Sequence, residues 1–150
     1  MHILDQEAPG LSDRLRALSL EQRRSIIAKA SRLASESISD LEPAVQDLLK
    51  TSSSGHALVR TQVAEAQSRA EAADERYFDL RERGRPDGEW RNWFYKARLL
   101  TALAAGFGGE SWSDAADAVY ELTKSRNDPA AIVALVASEI DAIQKATPRS

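Results

Sequence analysis

A chain of 150 residues, 43% hydrophobic and 29% charged, has the size and composition of one ordinary globular domain, able to bury roughly two thirds of the surface its unfolded form exposes. Its formal charge of -3 is too small to draw it strongly to nucleic acid or to a membrane surface, and the absence of cysteine excludes disulfides, thiolate metal sites and a cysteine nucleophile. The first residues lack the basic and then apolar pattern of a secretory signal, and the longest apolar run, 130–137, is far short of the roughly 20 residues of a membrane helix, so the cytoplasm is the expected compartment.

Residues 1–10, MHILDQEAPG, have no period and end in Pro9-Gly10, which predicts a flexible N-terminal arm with Ile3 and Leu4 available to dock on the body. Ser12 is placed to cap a short helix reaching Leu18. Ser19-Leu20-Glu21-Gln22 fits a capping box, in which the serine hydroxyl accepts from the third helical N–H and the glutamine side chain reaches back; Ile26, Ile27, Ala30, Leu33 and Ala34 give the helix behind it an apolar face. Asp40 is placed to cap the next helix, with Pro43 tolerated in the first turn and Leu41, Val45, Leu48 and Leu49 turned inward. The serine-rich stretch 51–55 reads as a surface turn, with a hinge between two helical halves as the alternative.

From 56 to 83, Val59, Val63, Ala66, Ala70, Ala73, Tyr77 and Leu80 alternate steps of four and three, the seam of one long helix whose alanines admit a close neighbour. That neighbour is expected within the chain; the alternative is a homodimer through the 59–80 seam. Gly84 supplies a left-handed stop, and Arg85-Pro86-Asp87-Gly88 a tight connection. The helix predicted over 89–107 is the most apolar and aromatic part of the chain: Trp90, Trp93, Phe94, Ala97, Leu100 and Ala104 recur at helical steps, and Leu99, Leu103 and Phe107 widen the stripe almost to the full circumference. Such a helix needs neighbours on several sides. Gly108-Gly109 ends it, Ser111 or Ser113 caps the next helix, and Asn127-Asp128-Pro129 opens the last, with Ile132, Val133, Val136, Ile140 and Ile143 inward and 147–150 left as a tail. No segment has a strand period. The reading is an all-α, single-domain antiparallel helical bundle of five to seven helices over 11–146, built around the central helix at about 89–107.

Chemistry is sparse. His2 and His56 have no partner at helical spacing and read as solvated imidazoles; neither H-E-x-x-H nor a glycine-rich phosphate loop occurs. No catalytic residue, cofactor or metal site is therefore predicted, and the chain is read as a non-enzyme. Arg81, Arg83, Arg85, Arg91, Lys96 and Arg98 interleave with Trp90, Trp93 and Tyr95, but acids are interspersed and the sequence pI is about 5.5, so nucleic acid is not the expected partner. The candidate interaction site is instead a carboxylate stripe. Asp114, Asp117 and Glu121 share one helical face, Glu110 lies just ahead, and Trp112 is an aromatic without an assigned place, either a plug for the bundle end or an interface anchor. No base precedes Lys124 in that helix, and residues 99–150 hold seven acids against four bases. An unneutralised stripe suits a basic partner protein. The expected function is a non-catalytic, stoichiometric binding partner or inhibitor, most concretely an immunity protein or antitoxin neutralising a basic bacterial toxin. The alternative is a small-molecule-sensing or enzymatic bundle with a pocket beside the central helix, using Tyr95, Tyr120 or Arg98.

Overall fold

The computed structural model describes residues 2–146, among which there are eight α-helices and no strand. They are α1 (Leu4–Glu7), α2 (Leu11–Arg16), α3 (Leu20–Ser35), α4 (Pro43–Ser53), α5 (Arg60–Glu82), α6 (Asp87–Gly108), α7 (Trp112–Thr123) and α8 (Pro129–Ala146). The fold is all-α, as the periodicity predicts. The element beyond the expected five to seven is α1, a single turn inside the segment read as an arm. Leu4 of that turn is fully buried, whereas Ile3 beside it is 46% exposed, so the body receives one member of the apolar pair. The predicted tail, 147–150, lies outside the described residues.

Several boundaries follow the local signals. Ser19 Oγ accepts from Gln22 N at 3.1 Å and Ser19 N donates to Gln22 Oε1 at 3.0 Å, completing the capping box of α3. Pro129 opens α8 at its first position. Gly84, at φ +67°, ends the long α5 in the left-handed region where a side chain would be strained.

Other local signals are overridden by contacts made later in the chain. Ser12 does not cap α2: it is buried inside that helix, and its N–H and Oγ both donate to the Asp5 carboxylate, at 3.2 and 2.6 Å, tying α1 to α2. The hydroxyl donor holds the Asp5 carboxyl below its usual 3.8. Asp40 does not cap α4 either, since the helix begins three residues on, at Pro43. Asp40 is instead the one non-glycine residue at positive φ among those described, at +57°, and its carbonyl accepts from the buried Lys96 amine at 2.8 Å. The predicted turn at 51–55 is helical through Ser53, where Thr51, Ser52 and Ser53 donate their hydroxyls to the carbonyls four residues back; the turn follows at Ser54-Gly55.

Most of the α5 seam packs within the chain: Ala66, Ala70, Ala73, Tyr77 and Leu80 are buried, and the helix packs principally along α6, whereas Val59 at the start of the seam is 60% exposed and Val63 is half-buried. The central helix divides in two. Its second half, Ala97 to Phe107, is core, surrounded by α3, α5 and α7. Gly106 allows this: a Cβ there would lie 3.0 Å from Ile27 Cγ2 of α3 and 3.1 Å from Ala118 Cβ of α7. The first half, expected to be equally buried, has Trp90, Trp93 and Phe94 only half-buried, because the outer end of the α5–α6 hairpin has few neighbours beyond its own two helices. The rings there pack on Tyr77, with centroids 5.6 Å (Trp90) and 5.1 Å (Phe94) away, and Arg81 lies over Tyr77 and Trp90. Among the described residues no helix is long and apolar enough to cross a membrane.

Candidate functional site

The carboxylate stripe is carried by α7, whose start is set by Ser111 in a second capping box: Ser111 Oγ accepts from Asp114 N at 3.0 Å and Ser111 N donates to Asp114 Oδ2 at 3.2 Å. Trp112 is thus the first residue of the helix rather than a loop aromatic. It is half-buried against the core, with the Arg16 guanidinium 5.4 Å from its ring centroid and the His2 ring edge-on at 6.4 Å, which makes it a plug beneath α1 and α2.

Packing gives one carboxylate of the stripe, Glu121, a cationic partner. Glu121 accepts from Arg98 Nη1 at 2.8 Å, and the same guanidinium gives Nη2 to Asp74 of α5 at 2.8 Å. Asp117 accepts from His2 Nε2 at 2.5 Å; the other ring nitrogen, Nδ1, accepts from Leu4 N at 3.0 Å, which leaves the proton on Nε2. His2 is therefore a built part of the N-terminal turn, its side chain 10% exposed, and not the solvated imidazole predicted. Glu110 has its side chain in solvent and gives its backbone carbonyl to Arg23. Of the five residues, Glu121 is taken up by Arg98 and Trp112 packs on the core, while Glu110, Asp114 and Asp117 have no lysine or arginine partner among the described residues.

What the fold assembles instead is a groove of about 660 Å³ between α5, the second half of α6 and the start of α7. Its walls carry Glu71 and Asp74 from α5 and Asp114 from α7, and its floor is small: Ala70, Ala104, Ala105 and Gly108. No lysine, arginine or histidine lines it. Glu71 has no cationic partner among the described residues, Asp114 bonds only to Ser111, and Asp74 shares Arg98 with Glu121. Three carboxylates of two helices thus line a trough rich in alanine and glycine, whose remaining lining is Val63, which stands against Gly108, with Gln67, Thr101 and Gly109. Of the predicted stripe, Asp114 alone lines this groove. Glu71 reads in sequence as part of the solvated outer line of α5, and Asp74 carries no signal of its own; only the α5–α6 crossing shows that both approach α7.

Tyr95, Tyr120 and Arg98 are not brought to one cavity. Arg98 is spent on its two carboxylates, Tyr95 lines a shallow hollow with Ser39 and Asn92, and Tyr120 lies 5.2 Å under the Lys124 amine. No group of three or more His, Asp or Glu among the described residues is placed to hold a metal ion. No known protein family, curated protein or solved structure matches the chain.

Proposed function

We propose that this chain is a non-catalytic protein-binding module, a stoichiometric partner or inhibitor of a basic protein, and that the acid-lined groove between α5, α6 and α7 receives a basic segment of that partner. The observation that carries the reading is the pairing of chemistry and shape: Glu71, Asp74 and Asp114 around a floor of alanine and glycine, with no cation in the lining. Carboxylates so placed steer a cationic segment and fix its register, while the small floor lets its backbone approach. In its most concrete form the module is an immunity protein or antitoxin covering the basic surface of a bacterial toxin, a reading supported by charge sign and size. Of the two roles open to Trp112, plug or anchor, its packing on the core supports the plug, and in this proposal the contact with the partner is made by the groove.

The test is capture of partners from the host lysate on the wild-type chain and on Glu71→Lys, which alters an exposed side chain without a pairing partner among the described residues. A basic protein retained at one-to-one stoichiometry by wild type, and bound at least about tenfold more weakly by the variant, supports the proposal; a partner held equally by both would refute the groove as its site. Far-UV circular dichroism of the variant should be unchanged.

A further inference from the structure

A second cavity, away from the acid-lined groove, has the opposite character. It is a cleft of about 490 Å³ between one face of α3 and the loop that joins α4 to α5. On the α3 side, Arg24, Lys29 and Arg32 line it at helical spacing; on the loop side stand Ser54, Gly55 and His56. Glu21 is the one carboxylate in the lining. In a chain of formal charge -3, three permanent cations and an imidazole around one hollow form a local concentration of positive charge.

Three features describe the donors around the cleft. Arg32 and His56 make no hydrogen bond or ion pair through their side chains to any described residue, although carboxylates elsewhere on the surface are repeatedly paired. Arg24 gives one Nη to the Gly109 carbonyl at 3.2 Å, while its Nε is buried without a partner. The backbone N–H groups of His56 and Ala57 bond to no described residue, while the next, Leu58, is tied to the Phe107 carbonyl at 2.8 Å. An unpaired guanidinium, an imidazole and loop amides around one hollow are what an oxyanion with several acceptor oxygens satisfies.

We infer that the cleft between α3 and the 54–57 loop is a binding site for a phosphorylated small molecule, with Arg32 and His56 as the contacts on its phosphate and Arg24 closing the inner end. The volume lies within the usual range of small-molecule pockets, roughly 300–1,000 Å³. A phosphate group carries about -1.5 to -2 charges at neutral pH, the sign that the cations of the lining attract. Arg32 presents the planar fork suited to two phosphate oxygens, and Lys29, already 2.8 Å from Glu139, supplies charge at the rim. The lining has no Phe, Tyr or Trp on which a base would stack, so recognition rests on the phosphate, unlike the aromatic platforms that hold single-stranded nucleic acid. The inference does not depend on the proposed protein partner; it uses a different face and a different charge.

The experiment is isothermal titration of the full chain with pyrophosphate and with ADP, against adenosine and chloride at matched ionic strength, accompanied by amide shift mapping. Saturable binding of both phosphorylated probes and none of adenosine is expected, with the largest shifts at the amides of residues 54–57 and at Arg32. Arg32→Glu, at an exposed side chain with no partner to lose, should weaken binding at least about tenfold and leave the helical content intact. His56→Gln should weaken it by a smaller factor. No saturable binding of either probe at millimolar concentration, equal binding by Arg32→Glu, or shifts centred elsewhere would each overturn the assignment.

Discussion

Arg98 is the cation on which the acidic side of the molecule depends, and replacing it with methionine isolates that dependence. Its guanidinium, 20% exposed, bridges Asp74 and Glu121 at 2.8 Å each and lies 5.6 Å from the Phe94 ring centroid. A hydrogen bond to a charged group contributes about 1.5–3 kcal/mol when shielded from water; the Glu121 arm, 19% exposed, sits near the lower end, and solvent screens the Asp74 arm, 34% exposed, to about half a kcal/mol. Methionine keeps the aliphatic stem on the ring but leaves two carboxylates without their shared cation. The expected loss is therefore about 2 kcal/mol, which for a domain of this length lowers the Tm by about 6–8 °C. Urea denaturation followed by circular dichroism gives the free energy, and a thermal scan the Tm. The cause is tested by a cycle: Glu121→Gln should destabilise the wild type but restore stability in the Arg98→Met background, with a coupling of about 1 kcal/mol. A Tm for Arg98→Met within about 2 °C of wild type, or a Glu121→Gln effect that is the same in both backgrounds, would refute the reasoning.

Ser12→Ala should lower the urea midpoint at pH 7 by removing the hydroxyl bond to Asp5; because that bond holds the Asp5 carboxyl below its usual 3.8, its contribution is full above that pH and fades as the pH falls through the folded-state value, so the midpoints of variant and wild type should converge in acid. Gly106→Val places branched carbon where Ile27 and Ala118 already approach a Cβ position to 3.0 and 3.1 Å, and should cost about 3 kcal/mol or more in urea unfolding. Trp112→Ala, at a half-buried plug, should cost about 2 kcal/mol, less than the 3–5 kcal/mol typical of a fully buried ring, and should release the N-terminal turn to faster amide exchange.

The carboxylates of α7 show where a one-dimensional reading ends. Within the helix, Asp114, Asp117 and Glu121 have no base before Lys124, and by that measure the stripe is unneutralised. Glu121 meets the cation of Arg98, 23 residues earlier and brought in by α6, and Asp117 accepts a hydrogen bond from His2, 115 residues earlier, while Asp114 keeps only its cap to Ser111. Charge compensation is set by proximity in space, and no spacing rule reports a cation that arrives from another helix. The same holds for the groove. Small residues at 70, 104, 105 and 108 are visible in sequence, but Glu71 and Asp74 join Asp114 only when α5 crosses α6 near the turn into α7.

Helix type, approximate limits and the inward faces were determined by the sequence itself, because a 3.6-residue apolar period and residues such as Ser19, Gly84 and Pro129 act within one turn of the backbone they shape. The tertiary structure alone decided where that period was not enough. It took Ser12 and Asp40 from their local roles as caps for Asp5 and Lys96, buried the α5 seam from Ala66 onward within the chain, and left the aromatic end of α6 half-exposed for want of a third helix. It also set a basic cleft and an acid-lined groove on one small domain. Local signals act over a few residues at about 1 kcal/mol each, whereas the placement of charges and cavities depends on which helices meet, and that is settled by the packing of the whole core.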